Sequence, residues 1–477
     1  MADYSKNFTK ISESILSSDN EEGEAMTSQK VKGLNDKQIY YLLCRIDKGY
    51  SVTEAEKIML SSVINISWNG RDYIELPNSI RKLTSLSELD LSGTQVSDIS
   101  ALSKLTSLSK LNLNDTEVSE ISALSKLTSL STLYLSGTQA SDISALSKLT
   151  SLSELYLSGT QVSEISALSK LTSLSELDLS NTKVSDISAL SKLTSLSKLD
   201  LSGTEVTDIS ALSKLTSLSE LCLSSTEVSD ISALSNLTLL SDLCLGNTQL
   251  KVEGYKKISV PVLFKYYTSF ATFSSSSGKI FMVKRYKYGT QIRDISALSK
   301  LTSLLRLDLE GTKVNDISAL SNLKNLETLN LGGLEINDLD AISGLTALKQ
   351  LNLQNSKTTR IPESILDLDI GFIIEEINPF PKSHDKGVFI HGLTLTDQPI
   401  EVFSQSRELL RAYYRERNRG PVNECKVIFL GDAESGKTHS IRRLLKKGEY
   451  LKDEDFDGKS TPGRNSDLRR TQSCRME

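Results

Sequence analysis

A run of eight residues has the types and spacing of a phosphate-binding loop. Residues 431–438 follow an apolar run at 426–430 that predicts a strand, and a segment that predicts a helix comes after them. This order of elements lets backbone N–H groups converge on phosphate oxygens at the positive end of the helix. Lys437 would then reach the β- and γ-phosphates of a nucleotide, and Thr438 would bind Mg²⁺. The predicted nucleotide-binding residues are Gly431, Asp432, Ala433, Glu434, Ser435, Gly436, Lys437 and Thr438.

Most of the chain that would position this loop is a repeat of constant length. The first copy, residues 83–104, is LTSLSELDLSGTQVSDISALSK. Copies begin at Leu83, Leu105, Leu127, Leu149, Leu171, Leu193, Leu215 and Leu237, and after an interruption at Leu301, Leu323 and Leu345. A fixed period in this range predicts a solenoid, in which each repeat is stable only when it stacks on its neighbours.

The pattern within one copy predicts its local structure. Leu89 and Leu91 alternate with polar residues, which is typical of a short strand that points both leucines inward. Asp98 can cap a short helical or 3₁₀ turn that carries Ile99 and Leu102. The predicted fold class is therefore α/β: parallel strands on the concave face of a solenoid, short helical or 3₁₀ turns on its convex face, and a partial phosphate-loop unit after it.

These positions resemble the leucine-rich-repeat family in its bacterial 22-residue form. The family pattern LxxLxLxxNxL is matched by Leu86, Leu89, Leu91, Thr94 and Val96. Threonine stands where the family has a buried asparagine, and its hydroxyl offers one donor where the amide offers two. We therefore expect a thinner ladder of internal hydrogen bonds. The threonines are Thr94, Thr116, Thr138, Thr160, Thr182, Thr204, Thr226, Thr248 and Thr312.

Composition limits the possible classes of protein. A formal net charge of −5 gives no global attraction to nucleic acid, and the five cysteines are too scattered for a disulfide framework. Cys222 and Cys244 lie one period apart and should be neighbours on adjacent strands, as reduced thiols. The sequence begins without the pattern of a signal peptide and has no apolar run long enough to cross a membrane. We predict a cytoplasmic protein with no membrane partner.

The residues before the regular repeats predict a cap for the solenoid. Residues 1–33 are polar and are predicted to be disordered. Residues 34–62 predict two helices, one capped by Asn35 and the other by Ser51 or Thr53. An atypical repeat at 63–82 follows, and Trp68 is expected to pack there. Repeats are predicted over 63–250.

The outward positions of the strands predict a surface for a protein partner. They hold nine acidic and three basic residues, so the concave face should be mildly acidic. The alternative is a solvated face of duplicated units with no single partner. The charged residues are Glu88, Asp90, Lys110, Glu154, Glu176, Asp178, Lys198, Asp200, Glu220, Asp242, Arg306 and Asp308.

The interruption at 251–292 is nearly as long as two copies of the repeat, and it is rich in aromatic and basic residues. Two β-prone runs on either side of 274–278 predict a protruding hairpin. Basic residues among aromatic ones can bind nucleic acid or an acidic surface. The alternative is a pair of degraded repeats.

Beyond the interruption, 293–369 predict further repeats and a closing cap, RIPESILDLD. Residues 370–425 are predicted to be a linker with an amphipathic helix. Leu409, Leu410, Tyr413 and Tyr414 lie on one side of that helix. Arg407, Arg411 and Arg415 are expected on its solvated side.

Repeats, the element IHGLTL at 390–395 and the phosphate loop together resemble the Roc–COR, or Roco, family over residues 34–463. Proteins of this family carry leucine-rich repeats, a Ras-like Roc GTPase domain and a COR dimerisation domain. The resemblance implies GTP and Mg²⁺ as cofactors. Thr461, followed by Pro462 and Gly463, matches the first switch of the family, whose threonine contacts Mg²⁺ in the GTP state.

The family motifs DxxG and NKxD do not follow Gly463. We therefore expect a partial Roc domain at 426–463, an irregular tail at 464–477 and no COR domain. The predicted function is a protein–protein interaction scaffold that carries the phosphate-binding start of a Roc domain. The alternative is a working GTPase regulated by its repeats, so enzymatic activity is left open. An internalin-like secreted adhesin is disfavoured because the sequence shows no signal peptide.

Overall fold

The computed structural model describes residues 34–70, 73–246, 250–256, 280–285, 290–336, 338–368, 370–374, 386–396, 398–418, 424–425 and 474–475. Of residues 55, 250–256, 280–285, 418, 424–425 and 474–475 it describes the backbone alone.

Most of the strands are short and belong to one parallel sheet. Its strands are β1 Asn65–Ser67, β2 Glu88–Asp90, β3 Lys110–Asn112, β4 Thr132–Tyr134, β5 Glu154–Tyr156, β6 Glu176–Asp178, β7 Lys198–Asp200, β8 Glu220–Cys222, β9 Asp242–Cys244, β12 Arg306–Asp308, β13 Thr328–Asn330, β14 Gln350–Asn352, β15 Phe372–Ile373 and β16 Gly387–Phe389. They are paired in the order β1-β2-β3-β4-β5-β6-β7-β8-β9-β12-β13-β14-β16-β15. Two antiparallel pairs lie outside this sheet, and they are Leu250–Lys256 (β10) with Ile280–Arg285 (β11), and Glu424–Cys425 (β17) with Cys474–Arg475 (β18).

Each copy of the repeat supplies one strand and one turn of 3₁₀ helix, as the sequence predicts. Leu89 pairs in register with Leu111 of the next copy, and both side chains are fully buried. The Asp98 carboxylate accepts a hydrogen bond of 2.8 Å from the N–H of Ser100, which starts the 3₁₀ helix. The 3₁₀ helices are Asn78–Lys82, Ser100–Lys104, Ser122–Lys126, Ser144–Lys148, Ser166–Lys170, Ser188–Lys192, Ser210–Lys214, Ser232–Asn236, Ser296–Lys300, Ser318–Leu320, Asp340–Gly344, Glu363–Asp367 and Ile400–Ser404.

Serines, rather than the threonines, provide the side-chain ladder between repeats. The Thr94 hydroxyl donates to the Leu91 carbonyl of its own copy at 2.7 Å. The Ser109 hydroxyl donates to the Ser87 carbonyl of the preceding copy at 3.1 Å. The same bond recurs in later copies, from Ser131, Ser153, Ser175, Ser197, Ser219 and Ser241. This ladder was not predicted, although a serine stands before every strand from β2 to β9. The later copies have Leu305, Glu327 and Lys349 at this position.

One turn position after each strand requires a left-handed backbone. Glycine holds this position in several copies, for example Gly203 with φ of 67°. Ser225 holds it one copy later with φ of 59°, and its hydroxyl is buried without a hydrogen-bond partner. A residue with a Cβ atom pays a steric cost in this conformation that glycine avoids.

We therefore expect Ser225→Gly to raise the free energy of unfolding by about 0.5 to 1 kcal/mol. The matched change Gly203→Ser should lower it by about 1 kcal/mol, since it adds a Cβ atom at the same position one copy earlier. Urea denaturation measures both. Two shifts of the same sign would contradict this account of the turn.

Two helices close the N-terminal end, as predicted, and Trp68 packs there. Helix α1, Asp36–Asp47, is capped by Asn35, and α2, Glu54–Ser61, is capped by Thr53. Trp68 is fully buried, and its indole N–H donates to the Asp36 carbonyl at 2.7 Å. Helix α2 buries Leu60, whereas its Ile58 is exposed.

The interruption leaves the parallel ladder unbroken. Strand β9 pairs directly with β12, so Leu243 lies opposite Leu307 although the whole insertion separates these strands in the sequence. The interpretation of the segment as two degraded repeats is therefore wrong, because such repeats would place strands between β9 and β12. An antiparallel pair, β10–β11, is present, and its second strand follows 274–278 as predicted. Its first strand lies at the start of the insertion, and the β-prone run predicted just before 274 lies outside the described residues.

The bounds of the insertion also need correction. The Thr290 hydroxyl donates to the Leu245 carbonyl at 2.8 Å, the bond that Thr94 makes to Leu91. Thr290 thus fills the repeat position assigned to Thr248, which lies outside the described residues. The inserted residues are 248–289, rather than 251–292. The sequence could not decide this, because Thr-Gln-Leu at 248–250 and Thr-Gln-Ile at 290–292 both fit the pattern.

The segment predicted as a linker is part of the C-terminal cap. Strand β16 continues the ladder beyond β14, and Phe403, Leu410 and Tyr414 are buried in the same core as the repeats. Helix α3, Arg407–Asn418, contributes the last two of these residues. The Arg407 guanidinium, predicted to be solvated, donates to the Leu368 carbonyl at 2.7 Å. The apolar residues of 386–418 need cover, and the open end of the last repeat provides it.

The predicted irregular tail contains a short strand. Strand β18 pairs with β17, with Cys474 opposite Cys425. Such a short pair requires only backbone hydrogen bonds, so the absence of an apolar period in the tail gave no signal of it.

Candidate functional site

The outward side chains of β2 to β9 and β12 to β14 form a continuous surface, which we call the strand face. Each strand contributes its first and third residues, as Glu88 and Asp90 do in β2. The strand's middle leucine is buried, so the repeat exposes a row of variable residues on a fixed hydrophobic support. This face is the surface that the sequence analysis assigned to a protein partner.

The third residue of the strand has a structural task in most copies. The Asp90 carboxylate accepts a hydrogen bond of 2.9 Å from the N–H of Ser92, which turns the chain at the end of β2. The same side-chain bond to the residue two positions later is made by Asn112, Asp178, Asp200, Asp308, Asn330 and Asn352. An aspartate or asparagine at this position is therefore explained by folding alone.

Two neighbouring tyrosines depart from this rule. Tyr134 and Tyr156 lie opposite each other on β4 and β5, and their rings stack with centroids 4.6 Å apart and planes 5° apart. The Lys110 ammonium lies 5.7 Å from the centroid of the Tyr134 ring. Both rings remain partly exposed on the strand face. They form a flat aromatic element with a lysine beside it.

Two basic residues of the strand face already form ion pairs with acidic residues of the same face. The Lys198 ammonium lies 3.3 Å from Glu220 and 4.0 Å from Glu176. Arg306 forms an ion pair with the buried carboxylate of Asp242. The acidic residues outnumber these cations, so the uncompensated charge of the face is negative.

Two in-register carboxyl groups on β6 and β7 share a crowded environment. Asp178 lies opposite Asp200, and Asp200 is buried. Burial, together with the charge of Asp178, raises the pKa of Asp200 to about 7. Burial also raises the pKa of Asp178. The hydrogen bonds from Ser202 to Asp200 act in the opposite direction, and are outweighed.

This raised pKa makes stability depend on pH. The folded chain holds a proton on Asp200 that an unfolded aspartate releases above its ordinary pKa near 4, so stability should fall as pH rises from about 4 to about 7 and then level off. We expect Asp200→Asn to raise the free energy of unfolding at pH 8 by up to about 4 kcal/mol and to change it little at pH 4, where the unfolded aspartate also holds its proton. The amide keeps the acceptor for the Ser202 N–H. Thermal unfolding of both proteins across this range provides the measurement.

The matched control for this prediction is Asp142→Asn. Asp142 is exposed and accepts a hydrogen bond from Ser144, which lowers its pKa. It should therefore give no gain of stability at pH 8. Equal gains from the two variants would show that net charge, and not the burial of Asp200, is responsible.

A second group of buried polar atoms lies where β8, β9 and β12 meet. The Ser224 hydroxyl lies 2.7 Å from the Cys244 thiol and 3.4 Å from the Cys222 thiol. The Cys244 sulfur lies 3.7 Å from the Asp308 carboxylate, and burial raises the pKa of Asp308 to about 7. Cys222 and Cys244 are neighbours across the ladder, as predicted, and both are free thiols.

A cavity of about 530 Å³ lies on the opposite side of the repeats, between the 3₁₀ helices that flank the insertion. Its polar lining includes Asp230 and Asp294. Each of these carboxylates already accepts a hydrogen bond from the first N–H of its own 3₁₀ helix, at 2.8 Å. Helix capping therefore explains why these two carboxylates line the cavity.

The residues predicted to bind a nucleotide and Mg²⁺ lie outside the described part of the chain. This applies to residues 431–438 and to Thr461. Within the described ranges, no group of three or more His, Cys, Asp or Glu side chains is arranged to hold a metal ion. In the same ranges, no helix has both the length and the apolar character that a membrane crossing requires.

The fold and its strand face define a class of protein. Residues 64–283 match the family described as "Leucine-rich repeat region". The chain therefore contains a leucine-rich-repeat solenoid, as the resemblance implied. No curated protein sequence matches it.

Solved structures that are similar to this chain include two from Listeria monocytogenes. An internalin (inlF) is 27% identical, with a TM-score of 0.59, and the match covers 76% of this chain and 91% of the internalin. An internalin C2 is 29% identical, with a TM-score of 0.39, over 45% of this chain and 97% of the other. A leucine-rich-repeat protein from Leptospira interrogans is 23% identical, with a TM-score of 0.45, over 76% and 97% of the two chains. The likeness to the first internalin concerns the repeat fold.

Proposed function

We propose that this chain is a protein-interaction scaffold whose partner binds on the strand face. This proposal rests on the positions at which the copies of the repeat differ from each other. The seven copies that begin at Leu83 to Leu215 all start with LTSLS and keep the same leucines, but their outward strand residues change from copy to copy. The first of these residues is Glu, Lys or Thr, and the third is Asp, Asn, Tyr or Cys.

This pattern separates the invariant positions that build the fold from the varied positions on the strand face. Invariant leucines fill a common core, and invariant serines bond the repeats to each other, so those positions are fixed by folding. The varied side chains project on one face, where a partner would meet a non-repeating arrangement of charge and aromatic surface. A surface that varies in this way can select one partner in one alignment. An identically repeated surface would offer the same contacts to a partner shifted by one repeat.

The test of this proposal compares two charge-matched variants of the full chain. The first changes the strand face with Glu88→Lys, Lys110→Glu and Glu154→Lys. The second makes the same three kinds of change on exposed residues of the 3₁₀ side. Those changes are Glu120→Lys, Lys126→Glu and Glu164→Lys.

Proteins captured from a cell extract by the wild-type chain are quantified with each variant at matched thermal stability. We expect capture of a specific partner to be lost with the strand-face variant and kept with the 3₁₀-side variant. The captured protein, once purified, should bind the wild-type chain directly. Loss with both variants, or with the 3₁₀-side variant alone, would contradict the proposal.

A second candidate function is nucleotide binding, favoured by the motif at 431–438 and its predicted strand and helix. In this candidate, GTP would bind with Mg²⁺ held by Thr438 and Thr461, as the Roc–COR resemblance implies. The test is a titration with fluorescent GTP and ATP analogues. A GTPase predicts tight, GTP-selective binding that Lys437→Ala abolishes and Lys447→Ala preserves. The scaffold proposal expects weak, unselective binding that neither change alters, and no turnover.

A cytoplasmic location is part of the scaffold proposal. Cys222 and Cys244 are adjacent free thiols, a state that a reducing compartment maintains. Fractionation of cells that express the chain, with a cytoplasmic marker, tests this assignment.

A further inference from the structure

The tyrosine pair, Tyr134 and Tyr156, is not explained by the folding of the repeats. The third strand residue is aspartate or asparagine in seven of eleven copies, and each of these side chains bonds to the backbone two residues later. Tyr134 and Tyr156 forgo that bond. Their stacked rings are instead presented, half-buried, on the strand face.

We propose that the tyrosine pair and the adjacent carboxylates bind an arginine side chain of a protein partner. This inference rests on the proposed function of the strand face and names the chemistry that the face recognises. The occupant is a peptide segment of the partner that bears arginine and lies across β4 to β6.

The aromatic rings supply one half of this site. The Lys110 ammonium, 5.7 Å from the centroid of Tyr134, shows that a cation is accommodated against this ring. Burial and the neighbouring Glu176 carboxylate raise the pKa of the Tyr156 hydroxyl, so negative charge lies beside the second ring. A guanidinium group is planar and weakly hydrated, so it packs against tyrosine more favourably than an ammonium group does.

Glu154 supplies the other half. It lies on the same strand as Tyr156 and in register with Glu176 on the next strand. Glu176 shares Lys198 with Glu220, whereas Glu154 makes no ion pair within the described residues. An incoming arginine could therefore donate to Glu154 while its plane contacts the tyrosine pair, since a guanidinium offers several donors in a fixed geometry.

The test uses the full chain and a fluorescein-labelled peptide of alternating arginine and glycine. Fluorescence anisotropy should show binding that weakens as salt increases. Peptides with lysine or glutamate in place of arginine should bind more weakly. The double variant Tyr134→Asn and Tyr156→Asn should bind the arginine peptide about tenfold more weakly. Because asparagine is the residue of other copies at this position, this variant is expected to fold, which circular dichroism checks.

Glu154→Gln should also weaken binding about tenfold, and its matched control is Glu164→Gln. Glu164 is exposed on the 3₁₀ side of the same repeat, and its substitution should change the affinity less than about twofold. The inference is overturned if the arginine peptide does not bind, if the tyrosine double variant binds as well as the wild type, or if the two glutamine variants weaken binding equally. In these cases the capture experiment with the strand-face variant still decides separately whether the face binds a partner.

Discussion

Removing residues 248–289 should leave the leucine-rich-repeat solenoid intact. The deletion joins Asn247 to Thr290, which already fills the buried threonine position of the interrupted copy. It restores one copy of ordinary length, and β9 already pairs with β12 without any strand between them. Closing a loop of this length costs up to about 3 kcal/mol, so the shortened chain should be as stable as the original or more stable by up to that amount. Thermal and urea unfolding measure the difference.

A deletion of equal length at 233–274 should have the opposite result. It removes the same number of residues, but it takes away β9 and its buried leucines. Each buried leucine contributes about 2 kcal/mol, and the residues lost include Leu237, Leu240, Leu243 and Leu245, so we expect a loss of about 8 kcal/mol or more. The cooperative unfolding transition should disappear or move to much lower temperature. If the two deletions destabilised the chain equally, the direct β9–β12 junction would be wrong.

Replacing Tyr414 by alanine should destabilise the chain by about 3 to 5 kcal/mol. The ring is 1% exposed, and its hydroxyl donates to the Ile361 carbonyl at 2.7 Å and accepts from the Gln398 amide at 3.1 Å. The substitution would leave a cavity where α3 packs on the last repeat. It would also remove one hydrogen bond each from the buried Ile361 carbonyl and the Gln398 amide, which keep the bond of 2.9 Å between them. Urea denaturation provides the measurement.

Two further variants separate the parts of this effect. Tyr414→Phe keeps the ring and removes the hydroxyl, so it should cost about 1 to 2 kcal/mol. Leu409→Ala changes a residue of the same helix that is 55% exposed, and its effect should stay within about 0.5 kcal/mol. If Tyr414→Ala lowered the free energy of unfolding by less than about 1 kcal/mol, residues 398–418 would be a linker and not part of the cap.

The site could be predicted only in part. The outward strand positions follow from the alternation of inward and outward residues in each copy, and the sequence therefore placed Tyr134, Tyr156 and the charged residues on one face. The capping role of aspartate at the third position did not follow, because it depends on a backbone N–H that only the folded turn brings within reach. Without knowledge of this capping role, Tyr134 and Tyr156 looked like any other difference between copies of the repeat. The prediction of nucleotide-binding residues at 431–438 stays a prediction, since they lie outside the described residues.

The sequence by itself determined the repeat unit. The spacing of Leu86, Leu89 and Leu91 fixes which side chains are buried, and a constant period forces identical elements to stack. The cap of α1 at Asn35 was also predicted, and the cap of α2 was narrowed to Ser51 or Thr53, because a helix cap depends only on residues a few positions apart. All these features depend on local spacing.

Tertiary structure decided the features that depend on distant segments. Two equivalent frames, Thr-Gln-Leu and Thr-Gln-Ile, could resume the array after the insertion, and the pairing of β9 with β12 selected the second. Likewise, the amphipathic pattern of α3 shows that one side needs cover but not which surface provides it. The open end of the last repeat supplies that cover, through Arg407 to Leu368 and Tyr414 to Ile361, because an exposed end of a solenoid and an uncovered apolar helix each bury what the other leaves in water.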